Sequence, residues 1–220
     1  MSYFIAVAGN MGVGKSELTA RLGKRLGWKT FLEPARDNPY LSDYYADMPR
    51  WCFHSQIFFL AHRIEEHHAL VAADAPAIQD RSVYENAEIF ARIMYERGYL
   101  SQRDWNTYEA LYHVLIQHLP TPTLVIYLQA SVPTLVERIK QRGNAYEQHI
   151  DTAYLEELNH HYETWATTTT IAPVMRVETD TRNFVADEQE LERLTSDILK
   201  LLPMQQLPLA AEQEATHVYP

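Results

Sequence analysis

Cysteine is almost absent from this chain of 220 residues: Cys52 stands alone, so no intramolecular disulfide can form and the sequence suits a reducing compartment. Long apolar runs are missing too. Stretches such as Ile57–Ala61 and Leu124–Leu128 fall far short of the roughly 20 residues with which a helix crosses a bilayer, so a membrane is not an expected partner. No basic region opens the chain. Met1 to Ala8 runs directly into Gly9 and reads as a first strand rather than a signal peptide, which makes the cytoplasm the expected location. Basic residues are outnumbered, 19 Lys and Arg against 29 Asp and Glu, for a formal charge of −10. That sign repels a phosphate backbone over most of the surface and speaks against duplex nucleic acid as a partner. An anionic ligand must therefore be held locally, by backbone N–H groups, Lys and Arg working against the global field.

What is present is ordinary globular material, with 46% hydrophobic and 22% charged residues. The length predicts one domain with an appendage, a domain over 1–202 followed by a flexible tail over 203–220, which contains no Lys or Arg. No internal repeat is found. Apolar runs predict strands at Tyr3–Ala8, Lys29–Leu32, Ala77–Gln79, Thr123–Leu128 and Val174–Glu178. Between them, helical spacing predicts a helix opening at Ser16 with Gly27 as its C-cap, and a long helix from about Arg50 to Ala73 with Phe53, Ile57, Leu60 and Ile64 inward. Further helices are expected with Ile89, Ile93 and Met94 inward, over Gln102–His118, from Pro133 to about Gln141, and over Tyr154–Trp165 and Glu188–Leu202. Alternating strands and helices predict an α/β fold with a parallel sheet covered on both faces.

Gly9-Asn10-Met11-Gly12-Val13-Gly14-Lys15-Ser16 matches G-x-x-x-x-G-K-S between a predicted strand and a predicted helix. Glycines let successive N–H groups turn toward one anion, the helix start adds positive potential, Lys15 reaches the β- and γ-phosphates and Ser16 holds Mg²⁺. The plain reading is a glycine-rich turn. No Asp-x-x-Gly or Asn-Lys-x-Asp element of a GTPase switch occurs, and Leu124–Leu128 is followed by Gln129-Ala130 rather than the acid of a mechanical ATPase. Transfer to a bound alcohol or phosphate remains. It needs a carboxylate near the acceptor, and Glu33 and Asp80 both close strands at the carboxyl edge where open α/β sheets bind ligands. One acid would accept a proton, the other would help hold the metal, and Arg81 would balance their charge. Taken singly, Asp80 could be a helix cap and Glu33-Pro34 a turn.

Together these residues carry a resemblance. Gly9–Ser16, Leu32-Glu33-Pro34, Arg50-Trp51-x4-Gln56, Asp80-Arg81-Ser82-Val83-Tyr84 with Ile89-Phe90, and Arg138-x3-Arg142-Gly143-x3-Glu147 resemble the deoxynucleoside kinase family in order from about residue 3 to 185. Asn38-Pro39-Tyr40-Leu41 and Tyr154-Leu155 are most similar to its bacterial purine-deoxynucleoside branch. The resemblance implies a P-loop kinase fold with sheet order 2-3-1-4-5, an Arg-rich lid that closes on binding, ATP and Mg²⁺, and a homodimer through the long helices. It implies that Glu33 takes the proton of the 5′-hydroxyl, that Arg81 orients that hydroxyl and the phosphate, and that Asp80 assists Mg²⁺. Tyr45 and Glu147 match residues that hold the sugar 3′-hydroxyl. Gln56 would bond the base with Arg63 and Asn86 nearby, Phe90 would stack on it, Trp51 would wall the pocket, and Arg138 and Arg142 would form the lid.

Elementary geometry agrees in part, since Gln56 and Arg63 lie seven apart on one helix face and Arg138 and Arg142 four apart. An ordinary buried polar pair and a solvated basic face are the plainer readings of those two pairs. Two departures stand out: Asn144 where a further lid arginine is expected, and Asn86 where aspartate is usual near the base. Gln56 can serve adenine or guanine by turning its amide, so the base preference stays open. A thymidylate-type nucleotide kinase shares the loop and a Glu-Pro pair, but there an arginine precedes the pair where Leu32 stands here. A nucleotide-binding regulatory module without turnover is a further alternative. His67-His68 and His160-His161 point about 100° apart on their helices, so neither pair shares a metal, and they are expected to be solvated.

Overall fold

A computed structural model describes residues 3–32, 38–143, 151–184 and 186–203. Five strands, β1 (Phe4–Gly9), β2 (Lys29–Phe31), β3 (Ala77–Asp80), β4 (Leu124–Gln129) and β5 (Val174–Glu178), pair in parallel in the order β2-β3-β1-β4-β5. The central strand β1 is buried along its whole length. Its residues alternate between two cores, Phe4, Ala6 and Ala8 on one face and Ile5 and Val7 on the other, as a strand covered on both sides requires. The register sets Val7 opposite Asp80 and Gly9 opposite Leu128, so the ends of β1, β3 and β4 share one edge.

Helix α1 (Lys15–Leu26) follows β1 and stops at Gly27, whose left-handed backbone (φ 68) returns an N–H to the Gly23 carbonyl. After β2 come α2 (Leu41–Ala46) and α3 (Met48–Ala72). α2 is absent from the sequence reading; it is one and a half turns long and has no side-chain cap at Tyr40. α3 begins two residues ahead of the expected start because Asp47 accepts the Arg50 N–H and Pro49 occupies the first turn.

β3 leads into α4 (Val83–Glu85), a π-helical segment (Asn86–Ala91) and α5 (Arg92–Glu96). Then follow α6 (Gln102–Ile116), α7 (Val132–Arg142), α8 (Thr152–Thr168) and α9 (Glu188–Leu201). The Asp151 carboxylate accepts the Ala153 N–H and starts α8 ahead of the expected Tyr154.

α3 runs against the strand direction across one face. His67 meets Phe4 at the start of β1, ring centroids 5.2 Å apart, whereas Arg63 reaches the Asp80 carbonyl at the end of β3, 3.5 Å away. Seven residues further back, Gln56 stands roughly 10 Å beyond Arg63, past the strand ends.

The expectation of a solvated His67 is wrong. The ring is fully buried and neither nitrogen makes a hydrogen bond among the described residues. Burial pushes its pKa down to about 4, and the nearby Pro120 carbonyl opposes that shift without bonding geometry. Among the described residues no cluster of His, Cys, Asp or Glu has the makings of a metal site, and no helix is long and apolar enough to cross a membrane. The tail residues 204–220 lie outside the described residues.

Candidate active site

The loop after β1 is shaped by close approach. A Cβ at Gly9 (φ 143) would stand 2.6 Å from the Leu128 carbonyl oxygen, and one at Gly12 (φ 78) would meet Ile139 of α7 at 2.8 Å. Lys15 is buried, and its ammonium donates across the loop to the Asn10 carbonyl at 2.9 Å. The Asn10 side chain anchors the loop on α8, donating to the Leu155 carbonyl (2.9 Å) and to Asn159 Oδ1 (2.8 Å) while accepting the Met11 N–H (2.7 Å). Because α1 starts at Lys15, its free N–H groups and the positive end of its dipole open into this loop. Gly9, Asn10, Met11, Gly12, Val13, Gly14, Lys15 and Ser16 thus form one continuous cradle.

Asp80 joins the cradle to the rest of the crevice. Ser16 Oγ donates to Asp80 Oδ2 at 2.5 Å. Asp80 Oδ1 is buried with no hydrogen-bond partner among the described residues, and the Asp80 carbonyl takes the Arg63 guanidinium from α3. An orphaned carboxylate oxygen beside a serine hydroxyl is an oxygen-donor set of the kind hard divalent cations prefer. The next residue, Arg81, is a non-glycine in the left-handed region (φ 63), a conformation that costs on the order of 1 kcal/mol. Its N–H is held by the Val7 carbonyl (3.0 Å), and its guanidinium lies 4.2 Å over the Phe90 ring.

Sequence reasoning missed Glu85. Fully buried, it accepts the Gly9 N–H (3.4 Å) and the Tyr162 hydroxyl (2.9 Å) on one oxygen, and the Ser82 N–H (2.9 Å) and hydroxyl (3.3 Å) on the other. Its pKa is raised: burial outweighs Arg81, the Ser82 N–H, Lys15 and Tyr162, which pull it down. The signal was legible: Ser82-x-x-Glu85 is a capping box, and both of its reciprocal bonds form here.

The remaining expected site residues with described positions lie mainly on α3, the π-helical segment and α2. Gln56 is buried, with Oε1 unpartnered among the described residues, an amide oxygen placed to take a ligand donor. Arg63 is buried and pairs with Glu66 at 2.6 Å, so it belongs to a charged cluster rather than to a Gln56–Arg63 pair. Asn86 is buried and donates to the Tyr108 hydroxyl at 3.1 Å. Phe90 packs edge-on against Tyr162, 6.2 Å between centroids. Tyr45 is half exposed on α2, against Tyr44. Burial raises the Tyr154 phenol pKa, and among the charges acting on that phenol are Arg81, Arg97 and Tyr45, which sets Tyr45 and Arg81 around one ring of α8. Trp51 is half-buried and leans on Tyr40, 5.9 Å between centroids.

From α7, Arg138 reaches over the cradle, donating to the Val13 carbonyl (3.3 Å), Thr179 Oγ1 (3.0 Å) and the Thr179 carbonyl (2.6 Å). Arg142, one turn on, is exposed. Glu33, Asn144 and Glu147 lie outside the described residues.

Chemically, the residues offer an anion cradle, a hard-cation half-site and a guanidinium at the strand edge around Asp80, with an unsatisfied amide acceptor further along α3. The profile of the deoxynucleoside kinase family matches residues 5–203. The chain is 38% identical over 200 residues to the deoxyadenosine/deoxycytidine kinase of Bacillus subtilis (strain 168), covering 90% of this chain and 92% of that protein. It is 36% identical over 208 residues to the deoxyguanosine kinase of the same organism, covering 90% and 97%. Among solved structures, the deoxyadenosine kinase of M. mycoides with bound dATP superposes with a TM-score of 0.77 at 30% identity, covering 89% of this chain and 99% of that one.

Proposed function

The chain belongs to the deoxynucleoside kinase family, and from that premise we propose that it moves the γ-phosphoryl group of ATP to the 5′-hydroxyl of a purine deoxyribonucleoside. The observation that carries this reading is Asp80, whose carboxylate sits on Ser16 of the phosphate cradle while its carbonyl holds Arg63 of the helix that also bears Gln56. One residue thus borders both the donor and the acceptor side. A kinase acting on a neutral alcohol needs that adjacency, because transfer is accelerated chiefly by positioning and electrostatics.

In this reading the triphosphate lies along Gly9–Ser16, with Lys15 against the β- and γ-phosphates. Ser16 Oγ and Asp80 would hold Mg²⁺, which supplies charge neutralisation on those phosphates when bound. Glu33 accepts the 5′-hydroxyl proton as the 5′-oxygen bonds to the γ-phosphorus and the bond to the β-phosphate oxygen breaks. Arg81 orients the hydroxyl and the transferring phosphate, and Arg138 and Arg142 cover them as a lid. Gln56 takes a donor of the base through its unpartnered oxygen, Phe90 stacks on the base with Arg63 and Asn86 nearby, and Trp51 walls the pocket. Tyr45 and Glu147 hold the sugar 3′-hydroxyl. The names of the bacterial relatives, each of which includes a purine deoxynucleoside, support a purine; they leave adenine against guanine open, and one includes deoxycytidine as well.

The reading includes a cytoplasmic homodimer. It is supported by α3, which is apolar on several faces, and by Leu111 and Val114, exposed on neighbouring α6; light scattering tests it. The activity is tested with γ-labelled ATP and Mg²⁺ against deoxyadenosine, deoxyguanosine, deoxycytidine and thymidine. Label should appear in a 5′-monophosphate, fastest with a purine. Label in no monophosphate contradicts the reading.

A further inference from the structure

No step of the transfer uses Glu85, yet it is fully buried, with four hydrogen bonds converging on its two oxygens. Those bonds come from three separate elements: the end of β1, the turn that carries Arg81 and Ser82, and α8. The Gly9 N–H and the Ser82 N–H can only donate, so each carboxyl oxygen is held as an acceptor by one backbone group and meets one hydroxyl besides. Lys15 and Arg81 both act on it electrostatically.

We propose that Glu85 is a positioning residue that fixes the phosphate cradle to the Arg81–Ser82 turn, so that the donor phosphate and the acceptor-orienting guanidinium keep one relative placement. The proposal rests on the kinase reading for its kinetic consequences but not for its structural one. Two features of the turn require such a fastening. Arg81 is held in the left-handed region, and a strained residue keeps its conformation only when its surroundings over-determine it. The cradle meets α8 at a second point through Asn10, Leu155 and Asn159. Glu85 and Asn10 therefore tie the loop to the same helix from two sides.

The test is Glu85→Gln. It keeps the volume but replaces one acceptor oxygen with an NH₂ group, which would confront either the Ser82 N–H or the Gly9 N–H and Tyr162 hydroxyl. The expected result is a kcat lower by roughly 10- to 100-fold per ATP-binding site, since a misplacement of about an ångström costs on that order. KM for ATP and for the nucleoside should stay within about threefold, because every contacting group remains. Hydrogen–deuterium exchange should quicken in the peptide spanning Gly9–Ser16 and not in α9. Tyr162→Phe, which deletes one donor and preserves packing, should show the same pattern in weaker form and serves if Glu85→Gln fails to fold. Unchanged exchange in the cradle, or a kcat within twofold of wild type despite lowered thermal stability, overturns the role of Glu85. A wild-type protein that transfers phosphate to no nucleoside contradicts the kinase reading instead, and cradle exchange in the two variants still decides the role of Glu85.

Discussion

Ser16 and Asp80, 64 positions apart in sequence, share a hydrogen bond of 2.5 Å between the first turn of α1 and the last residue of β3. The bond exists because β1 and β3 are parallel neighbours in register, Val7 opposite Asp80, so the loop leaving β1 and the end of β3 meet at one edge. The second carboxylate oxygen of Asp80, buried and unpartnered among the described residues, is the counterpart of that bond: a site prepared for a charge that arrives with the ligand.

Asp80→Asn tests this. The amide keeps the shape and removes the charge, so the Mg²⁺ concentration for half-maximal rate should rise and kcat at saturating Mg²⁺ should fall by roughly 10²-fold. A steady-state titration with Mg²⁺ measures both. An unchanged Mg²⁺ requirement would remove Asp80 from the metal site.

Glu33→Gln should lower kcat by roughly 10² to 10⁴-fold if the carboxylate takes the 5′-hydroxyl proton. Calorimetric binding of ATP should be preserved. Full turnover in this variant would assign the proton to another group.

For Gln56→Leu, stability and affinity should move apart. Its Oε1 is a buried acceptor without a partner among the described residues, so an apolar replacement of similar size removes a desolvation cost, and the melting temperature should hold or rise. The nucleoside KM should rise roughly tenfold, corresponding to about 1.4 kcal/mol of lost bonding, with the ATP KM unmoved. Equal losses for both substrates would place Gln56 outside the base pocket.

His67 predicts a specific acid sensitivity. Its folded pKa is depressed to about 4 from an ordinary 6.5, so the unfolded chain takes up the proton first. The neutral ring's contribution is fully present above about pH 6.5 and is lost as pH falls from there to about 4, at most about 3 kcal/mol. Chemical denaturation of wild type and His67→Phe at pH 7 and pH 4.5 should show a smaller loss in the variant. Parallel losses would show that other groups carry the acid response.

Much of the frame was written in the sequence. β1, α1 and the cradle follow from an apolar run, a glycine-rich turn and leucines at helical spacing, because each of these signals is local. The sheet order came from the resemblance to a family, since strand pairing is a long-range property that periodicity does not encode. α3 was found with its apolar side, Leu60 and Ile64 lying in the core and Phe53 and Ile57 packing against it, but the burial of His67 was not foreseen. The helix is rich in apolar residues all round, and its buried residues combine Leu60 and Ile64 of the expected stripe with the polar Gln56, Arg63 and His67. Gln56 keeps an unpartnered oxygen among the described residues, Arg63 pairs with Glu66 and His67 stands edge-on to Phe4, none of which a hydrophobicity pattern registers. α2 was missed for want of a side-chain cap, whereas the helix with Ile89, Ile93 and Met94 inward was expected and only its π-helical stretch, which breaks the 3.6-residue period, was not. Glu85 was overlooked because its capping box was hidden beside a motif that drew attention to Asp80 and Arg81.

The central claim is that the phosphate cradle and the Gln56 pocket open into one crevice that admits both substrates at once. The most direct measurement is calorimetric titration with adenosine and deoxyadenosine joined through their 5′-oxygens by a chain of five phosphates. Simultaneous occupancy predicts affinity well above that of either ATP or deoxyadenosine, weakened both by Lys15→Ala in the cradle and by Gln56→Leu in the pocket. Affinity no greater than that of ATP, with no response to Gln56→Leu, would contradict it.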